Sequence, residues 1–196
     1  MKNILIINGH QYYPVVAEGK LTQNIINFLE DFCKEKGFEV KSTQIDKQYI
    51  IKDELEKFAW ADVIIMQYPV YWMGVPWITK KYIDEIFSYG KDKVTYIDDG
   101  RSRKDPSKKY GSGGLMQGKH YMLSLTYNCP LSEFDNKEGF FEGLSVDQAN
   151  ISVHKTFQFC GAQQLKTYSI HDIFKGDFDL KQELQRLGTI LEKNFS

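Results

Sequence analysis

Apolar residues along this chain follow two rhythms: short continuous runs alternate with stretches in which they recur every three or four positions. The first run, residues 3 to 8, is β-branched and closed by Gly9, and its unbroken segment Ile4 to Ile7 suits a strand buried on both faces. Leu21, Ile25, Phe28, Leu29 and Phe32 then recur at helical spacing, and Gly37 supplies a C-terminal stop. Phe38 to Ile45 predicts a second strand, Asp53 to Ala59 a short helix, and Asp62 to Gln67 a third strand. Ile78, Tyr82 and Ile86 mark a helix entered after Pro76, a residue suited to a first turn. Tyr121 to Thr126 reads as the fourth core strand, Ser152 to Cys160 as a helix stopped by Gly161, and Leu165 to Ile170 as the fifth strand. A last helix places Leu180, Leu184, Leu187 and Leu191 on one face. The exception is Gly90 to Gly118, about 29 polar residues with at most a brief strand at Val94 to Ile97, longer than ordinary connections in compact domains.

This order predicts an α/β fold with right-handed crossovers. It matches a flavodoxin-like, doubly wound parallel five-stranded sheet of order 2-1-3-4-5, with helices on both faces. At 196 residues the chain fits a single domain, 1–196. Ligands of such sheets bind beyond the carboxyl ends of the strands at the topological switch point, which directs attention to the segments after residues 8, 67, 126 and 170.

Charge adds exclusions. With 25 basic and 26 acidic residues the net charge is -1, so no global field draws the protein to nucleic acid or an anionic membrane. Cys33, Cys129 and Cys160 are odd in number and widely spaced, which suggests neither disulfides nor a zinc cluster and points to a reducing compartment. The start of the chain has four consecutive apolar residues, too few for a signal peptide or a membrane span. A cytoplasmic protein without membrane insertion is expected.

Three segments carry candidate chemistry. In Gly9 to Asn24, the orphan N–H groups at the start of the first helix favour a phosphate, with Gly19, Thr22 and Asn24 able to give close approach or donors. An ordinary helix cap is the alternative, and Glu18 opposes an anion. Pro69 to Trp77 follows the third strand and puts Tyr71, Trp72 and Trp77 where the chain should be exposed, so a planar ring such as isoalloxazine can stack there. The alternative is a local aromatic core. Thr126-Tyr127-Asn128-Cys129-Pro130 offers hydroxyls, an amide and backbone donors for the polar edge of a flavin. Cys129 has no basic neighbour in sequence, which favours an inert wall thiol over a nucleophile.

Other features carry less. Gly113 to His120 nearly spells a phosphate-binding loop, but His120 replaces its hydroxyl residue and a strand follows where a helix should. Gly111-Ser112-Gly113 begins a dinucleotide fingerprint that Met116 breaks. The four histidines have no metal-ligand spacing, so no metal is predicted, and His10 alone falls near the expected site. Arg101 to Tyr110 is cationic and can attract NADPH phosphates or simply be a solvated loop.

The chain also resembles a known family. Asn3 to Gly9, Trp60 to Val63, Trp72 to Trp77, Lys80 to Asp84, Arg103 to Gly114, Lys119 to Asn128 and Phe140 to Gly143 are similar to the bacterial FAD-containing NAD(P)H:quinone oxidoreductases called modulator of drug activity B. That resemblance implies a homodimer that reduces quinones by two electrons, with NADPH the favoured donor. It implies FAD contacts at Ala17, Glu18, Gly19, Lys20, Leu21, Thr22, Gln23 and Asn24, and at Pro69, Val70, Tyr71, Trp72 and Met73. Further contacts are implied at Tyr110 and at Thr126, Tyr127, Asn128 and Cys129. Tyr127 or Tyr110 is the expected donor to a quinone oxygen, and Arg103 to Gly114 is expected to close over the adenine half of FAD or over NADPH. The chain departs from the family at Val16-Ala17-Glu18, where His-Ser-Asn stands in the pattern, which removes polar groups near the FAD phosphates. A regulatory flavin-binding subunit of a potassium efflux system and a flavodoxin-type electron carrier are the alternatives on this fold.

Overall fold

The computed structural model describes residues 2–195; Met1 and Ser196, the ends of the expected domain, lie outside the described residues. Strands β1 (Asn3–Asn8), β2 (Glu39–Gln44), β3 (Val63–Pro69) and β4 (His120–Thr126) form the centre of a parallel sheet, with β5 (Gln163–Gln164) and β6 (Tyr168–Ile170) both paired to β4. The order β2-β1-β3-β4 followed by β5 and β6 is the predicted one.

The helices are α1 (Lys20–Glu35), α2 (Ile51–Trp60), α3 (Trp77–Tyr89), α4 (Val146–Ala149), α5 (Ile151–Phe159) and α6 (Leu180–Phe195). Strand alternation sorts them onto two faces. Leu5, Ile7, Ile64, Met66, Tyr121, Leu123 and Leu125 meet α2, α3 and α5 through residues such as Phe58, Tyr82, Ile86 and Phe157. Ile4, Ile6, Val63, Ile65, Met122 and Tyr168 meet Ile25 and Leu29 of α1 and Leu187 and Leu191 of α6. Burial on both faces explains why these strands read as unbroken apolar runs.

The expected fifth strand is split. Between β5 and β6, Asn194 of α6 accepts from the Lys166 N–H at 3.1 Å and donates to the Lys166 carbonyl at 3.1 Å, so a side chain replaces a ladder partner there. The expected strand at Val94 to Ile97 reduces to one bridge, Tyr96 with Gly114. Helix α4 was not anticipated, although a reciprocal cap made by Ser145 and Gln148 marks its start.

Where α2 faces β2 and α3, Glu54 is buried and satisfied. It accepts from Tyr82 Oη at 2.6 Å and from Thr43 Oγ1 at 2.8 Å, and pairs with Lys57 at 2.6 Å. Three elements are thereby fixed at the carboxyl end of β2.

Candidate active site

Every strand-to-helix connection opens at the carboxyl edge of the sheet, and there a crevice of about 940 Å3 is lined by four of them. The first, between β1 and α1, turns back on itself: the Tyr13 and Ala17 backbones exchange hydrogen bonds of 2.9 Å, and the tip residue Val15 has φ 66°. A β-branched residue in that region is strained. His10, buried beneath the turn, donates from Nε2 to the Ala17 carbonyl at 3.0 Å. Burial lowers its pKa below the usual histidine range.

Helix α1 then starts without a side-chain cap and with no acid in its first turn. Its first bond runs from the Gln23 N–H to the Gly19 carbonyl, which leaves the preceding N–H groups free for an anion. Gly19 has φ 84°, and a Cβ there would come within 2.9 Å of the His10 ring. The seat is therefore one that only glycine completes. Glu18, which opposed an anion on charge alone, is paired with Lys20 at 2.9 Å.

The connection after β3 is a second hairpin. Tyr71 and Gly74 exchange backbone bonds of 2.9 and 3.1 Å, and the central residues Trp72 and Met73 have φ of 47° and 64°. Two bulky residues in the left-handed region carry roughly 1–2 kcal/mol each. The hairpin leaves Trp72 95% exposed. Tyr71 ties the two hairpins together, with its hydroxyl on the Gln11 carbonyl at 3.3 Å and its ring 5.8 Å from that of Tyr13.

Hydrogen bonds join the four connections in series. Gly9 N–H donates to Gln67 at 2.7 Å, Val70 N–H to Thr126 at 2.9 Å, Tyr127 N–H to Ile170 at 2.8 Å, and Ile173 N–H to Tyr127 at 3.3 Å. Below this rim, Asn8, Gln67 and Ser124 form a buried polar row at matching register. Gln67 Nε2 and His10 Nδ1 are buried there without a partner. Such groups fit a polar ligand above them better than an apolar one.

Of the expected contacts, the structure brings Ala17, Glu18, Gly19, Lys20, Leu21, Thr22, Pro69, Val70, Tyr71, Trp72, Thr126 and Asn128 to one crevice. It does not bring Gln23, Asn24, Met73, Tyr127, Cys129 or Tyr110 to the lining. Gln23 and Asn24 are exposed on the next turn of α1. Tyr127 points to the opposite face of the sheet from Thr126, as alternation requires, and its hydroxyl accepts from Asn150 at 2.6 Å. Burial pushes that phenol up to about 12, which keeps its proton on, and the hydroxyl lies among buried groups away from the crevice lining.

Cys129 is half-buried, with its thiol pushed up by burial. Sequence neighbours had hidden a basic companion, His171, whose Nδ1 donates to the Cys129 carbonyl at 3.1 Å and so braces the backbone instead of activating the sulfur. Tyr13, Val15 and Val16 also line the crevice, inside the segment Gly9 to Asn24 but not singled out as contacts, and sequence reasoning named none of Ile173, Phe174 and Phe178. The last three follow β6, where the fold rule had pointed.

The segment 90–118 lies elsewhere. It connects the end of α3 to the start of β4, which puts it at the amino edge of the sheet, and none of it lines the crevice. Met116 N–H bonds Cys160 at 2.8 Å, and the rings of Tyr96 and Tyr110 pack 5.4 and 5.3 Å from Phe159, where α5 ends. Tyr110 is therefore remote from its own chain's crevice, contrary to the expected closure. The loop instead shapes a cavity of about 760 Å3 lined by Arg101, Lys108, Lys109 and Gly113, among others.

Residues 2–191 match the model of a family described by its flavodoxin-like fold. The chain belongs to this family. It is 39% identical over 193 residues to the NADPH:quinone oxidoreductase MdaB of Haemophilus influenzae, covering 98% of this chain and 99% of that protein. In fold it is similar to the NAD(P)H:quinone oxidoreductase from Methanothermobacter marburgensis, at 13% identity with a TM-score of 0.70, covering 97% of both chains. It is likewise similar to general stress protein 14 from Treponema denticola in complex with FMN, at 15% identity with a TM-score of 0.68, covering 98% of this chain and 97% of that one. Among the described residues no helix is long and apolar enough to cross a membrane.

Proposed function

We propose that this protein is a flavin-dependent NADPH:quinone oxidoreductase that holds FAD in the carboxyl-edge crevice and works as a homodimer. The observation that carries the reading is the crevice itself. It combines a glycine-completed anion seat at the start of α1 with an aromatic hairpin and polar groups around one ring-sized space. Similarity to a quinone oxidoreductase over 98% of the chain supports the same assignment. Bound flavin would supply the two-electron hydride relay between the nicotinamide and the quinone.

The protein's contribution is binding, orientation and exclusion of water. The first turn of α1 holds phosphate through backbone N–H groups. Thr126 and Asn128 offer polar groups to the pyrimidine edge, while Tyr71 and Trp72 wall the ring. Because Val16 and Ala17 bring no side-chain donors, this seat relies on backbone groups, the helix dipole and the Thr22 hydroxyl.

A homodimer reconciles the loop with the crevice. Tyr110 and the lysines beside it cannot cover their own chain's site, so they reach one only on a second copy. Exposed Trp72, Trp77, Phe140 and Tyr110 are surfaces that such a copy would cover. The test is an absorbance spectrum of the purified protein with FAD, followed by anaerobic NADPH and then a quinone. Bleaching by one equivalent of NADPH and recovery with quinone are expected. A protein that takes up no flavin, or one that NADPH leaves oxidised, sinks the proposal. Tight binding of a transporter without NADPH oxidation would support a regulatory subunit instead.

A further inference from the structure

Beyond the ring and phosphate seats, the crevice continues along the α1 side to Leu21, Ile173, Phe174 and Phe178. At about 940 Å3 it lies at the upper end of the range of small-molecule sites. Phe174 is 71% exposed yet lines this extension. Its presentation is built, not incidental. The Lys175 N–H donates to the Asp172 carbonyl at 2.8 Å, closing a turn in which Asp172 has φ 52°. Ile173 is tied to Tyr127, and Ile173, Phe178 and Leu21 all pack on the apolar cluster between α1 and α6. The platform under Phe174 is thus continuous with the first turn of α1, where a phosphate sits in the functional reading above.

A ligand ending at one phosphate would leave this extension empty and the Phe174 face in water. A ligand that continues past the phosphate needs a flat, apolar group to use it. We infer that Phe174, supported by Ile173 and Phe178, is the adenine seat of a flavin dinucleotide and the residue that selects FAD over FMN. This rests on the flavoprotein reading. Adenine stacks on an aromatic face without needing directed hydrogen bonds, which fits a wall that offers none. The inference also accounts for a chain that lacks side-chain donors at Val16 and Ala17: affinity absent at the phosphates is supplied at the base.

The experiment is a fluorescence titration of the flavin-free protein with FAD and with FMN, for wild type, Phe174→Ala and Phe174→Tyr. Wild type should prefer FAD. Phe174→Ala should weaken FAD on the order of tenfold and leave FMN unchanged, and Phe174→Tyr should restore FAD. Because the side chain is largely exposed, all three should melt together without flavin. Equal wild-type affinity for the two flavins, or equal loss of both in Phe174→Ala, overturns the adenine seat while leaving the flavoprotein reading intact. Binding of neither flavin by wild type overturns both.

Discussion

At the carboxyl edge of the sheet the connections are laced to one another by backbone bonds, whereas at the amino edge residues 90–118 fold back on themselves and are anchored by buried Thr95 and Met116 and by contacts at Phe159 and Cys160. The carboxyl edge holds its strain locally, at Val15, Trp72 and Met73, and keeps a formed crevice. The amino edge keeps positive charge and an exposed Tyr110 on a surface its own crevice cannot use. The difference teaches that one chain divides the work: a preformed crevice is built where crossovers begin, and a charged loop that stays outside it is built where they end.

The largest effect should come from unseating the amino-edge loop. A Cβ at Gly114 would lie 2.1 Å from the Cys160 carbonyl carbon, which is backbone and cannot turn aside. Gly114→Ala should destabilise the protein by about 3 kcal/mol in urea unfolding. Unchanged stability would mean that the loop is not seated on Cys160.

Next comes the aromatic hairpin. Trp72→Ala should weaken flavin binding by about 1 kcal/mol or more with little change in the stability of the flavin-free protein. Trp72→Gly should lose the same affinity yet gain about 1 kcal/mol in stability, because the left-handed conformation no longer opposes a side chain. A tryptophan whose removal costs no affinity would place the ring elsewhere.

A smaller effect tests whether the two edges meet between copies. Lys108→Ala with Lys109→Ala should raise the NADPH Michaelis constant a few-fold, roughly the scale of exposed charge contacts, and added salt should erase the difference. Tyr110→Ala should reduce flavin retention, and sedimentation should find that it does so only where the protein is dimeric. Full retention in a dimer would remove Tyr110 from the site.

The smallest concerns pH. His10 and His171 are both held below the ordinary histidine value of 6.5, chiefly by burial, so the folded state binds fewer protons than the unfolded chain as pH falls past that value. Their contribution is present in full above about 6.5 and is lost as pH drops towards the lowered folded values. His171→Asn should flatten part of that loss in chemical unfolding between pH 7 and 5. A slope identical to wild type would assign the acid sensitivity elsewhere.

Strand order, the long helices and the edge at which the crevice opens were legible because two-faced burial writes unbroken apolar runs, and because parallel crossovers fix where each connection opens. The same rule places residues 90–118 at the amino edge, since they leave a helix to enter a strand, and the expected closure over the flavin overlooked it. Tyr127 was misjudged by treating a polar segment as one unit, when strand alternation separates it from Thr126. Phe174 was missed because a single exposed phenylalanine in a polar turn has no periodicity to reveal it.

By itself, then, the sequence determined the periodicities, the faces and the edge at which the crevice opens, since these follow from local chain geometry and from which residues leave water. Only the tertiary structure decided that Lys20 answers Glu18, that His10 lies under Gly19, that Asn150 claims Tyr127, and that Phe174 continues the wall begun by Leu21. Each of those depends on side-chain direction across elements distant in the chain or on the shape of a turn, and neither is encoded in spacing along it.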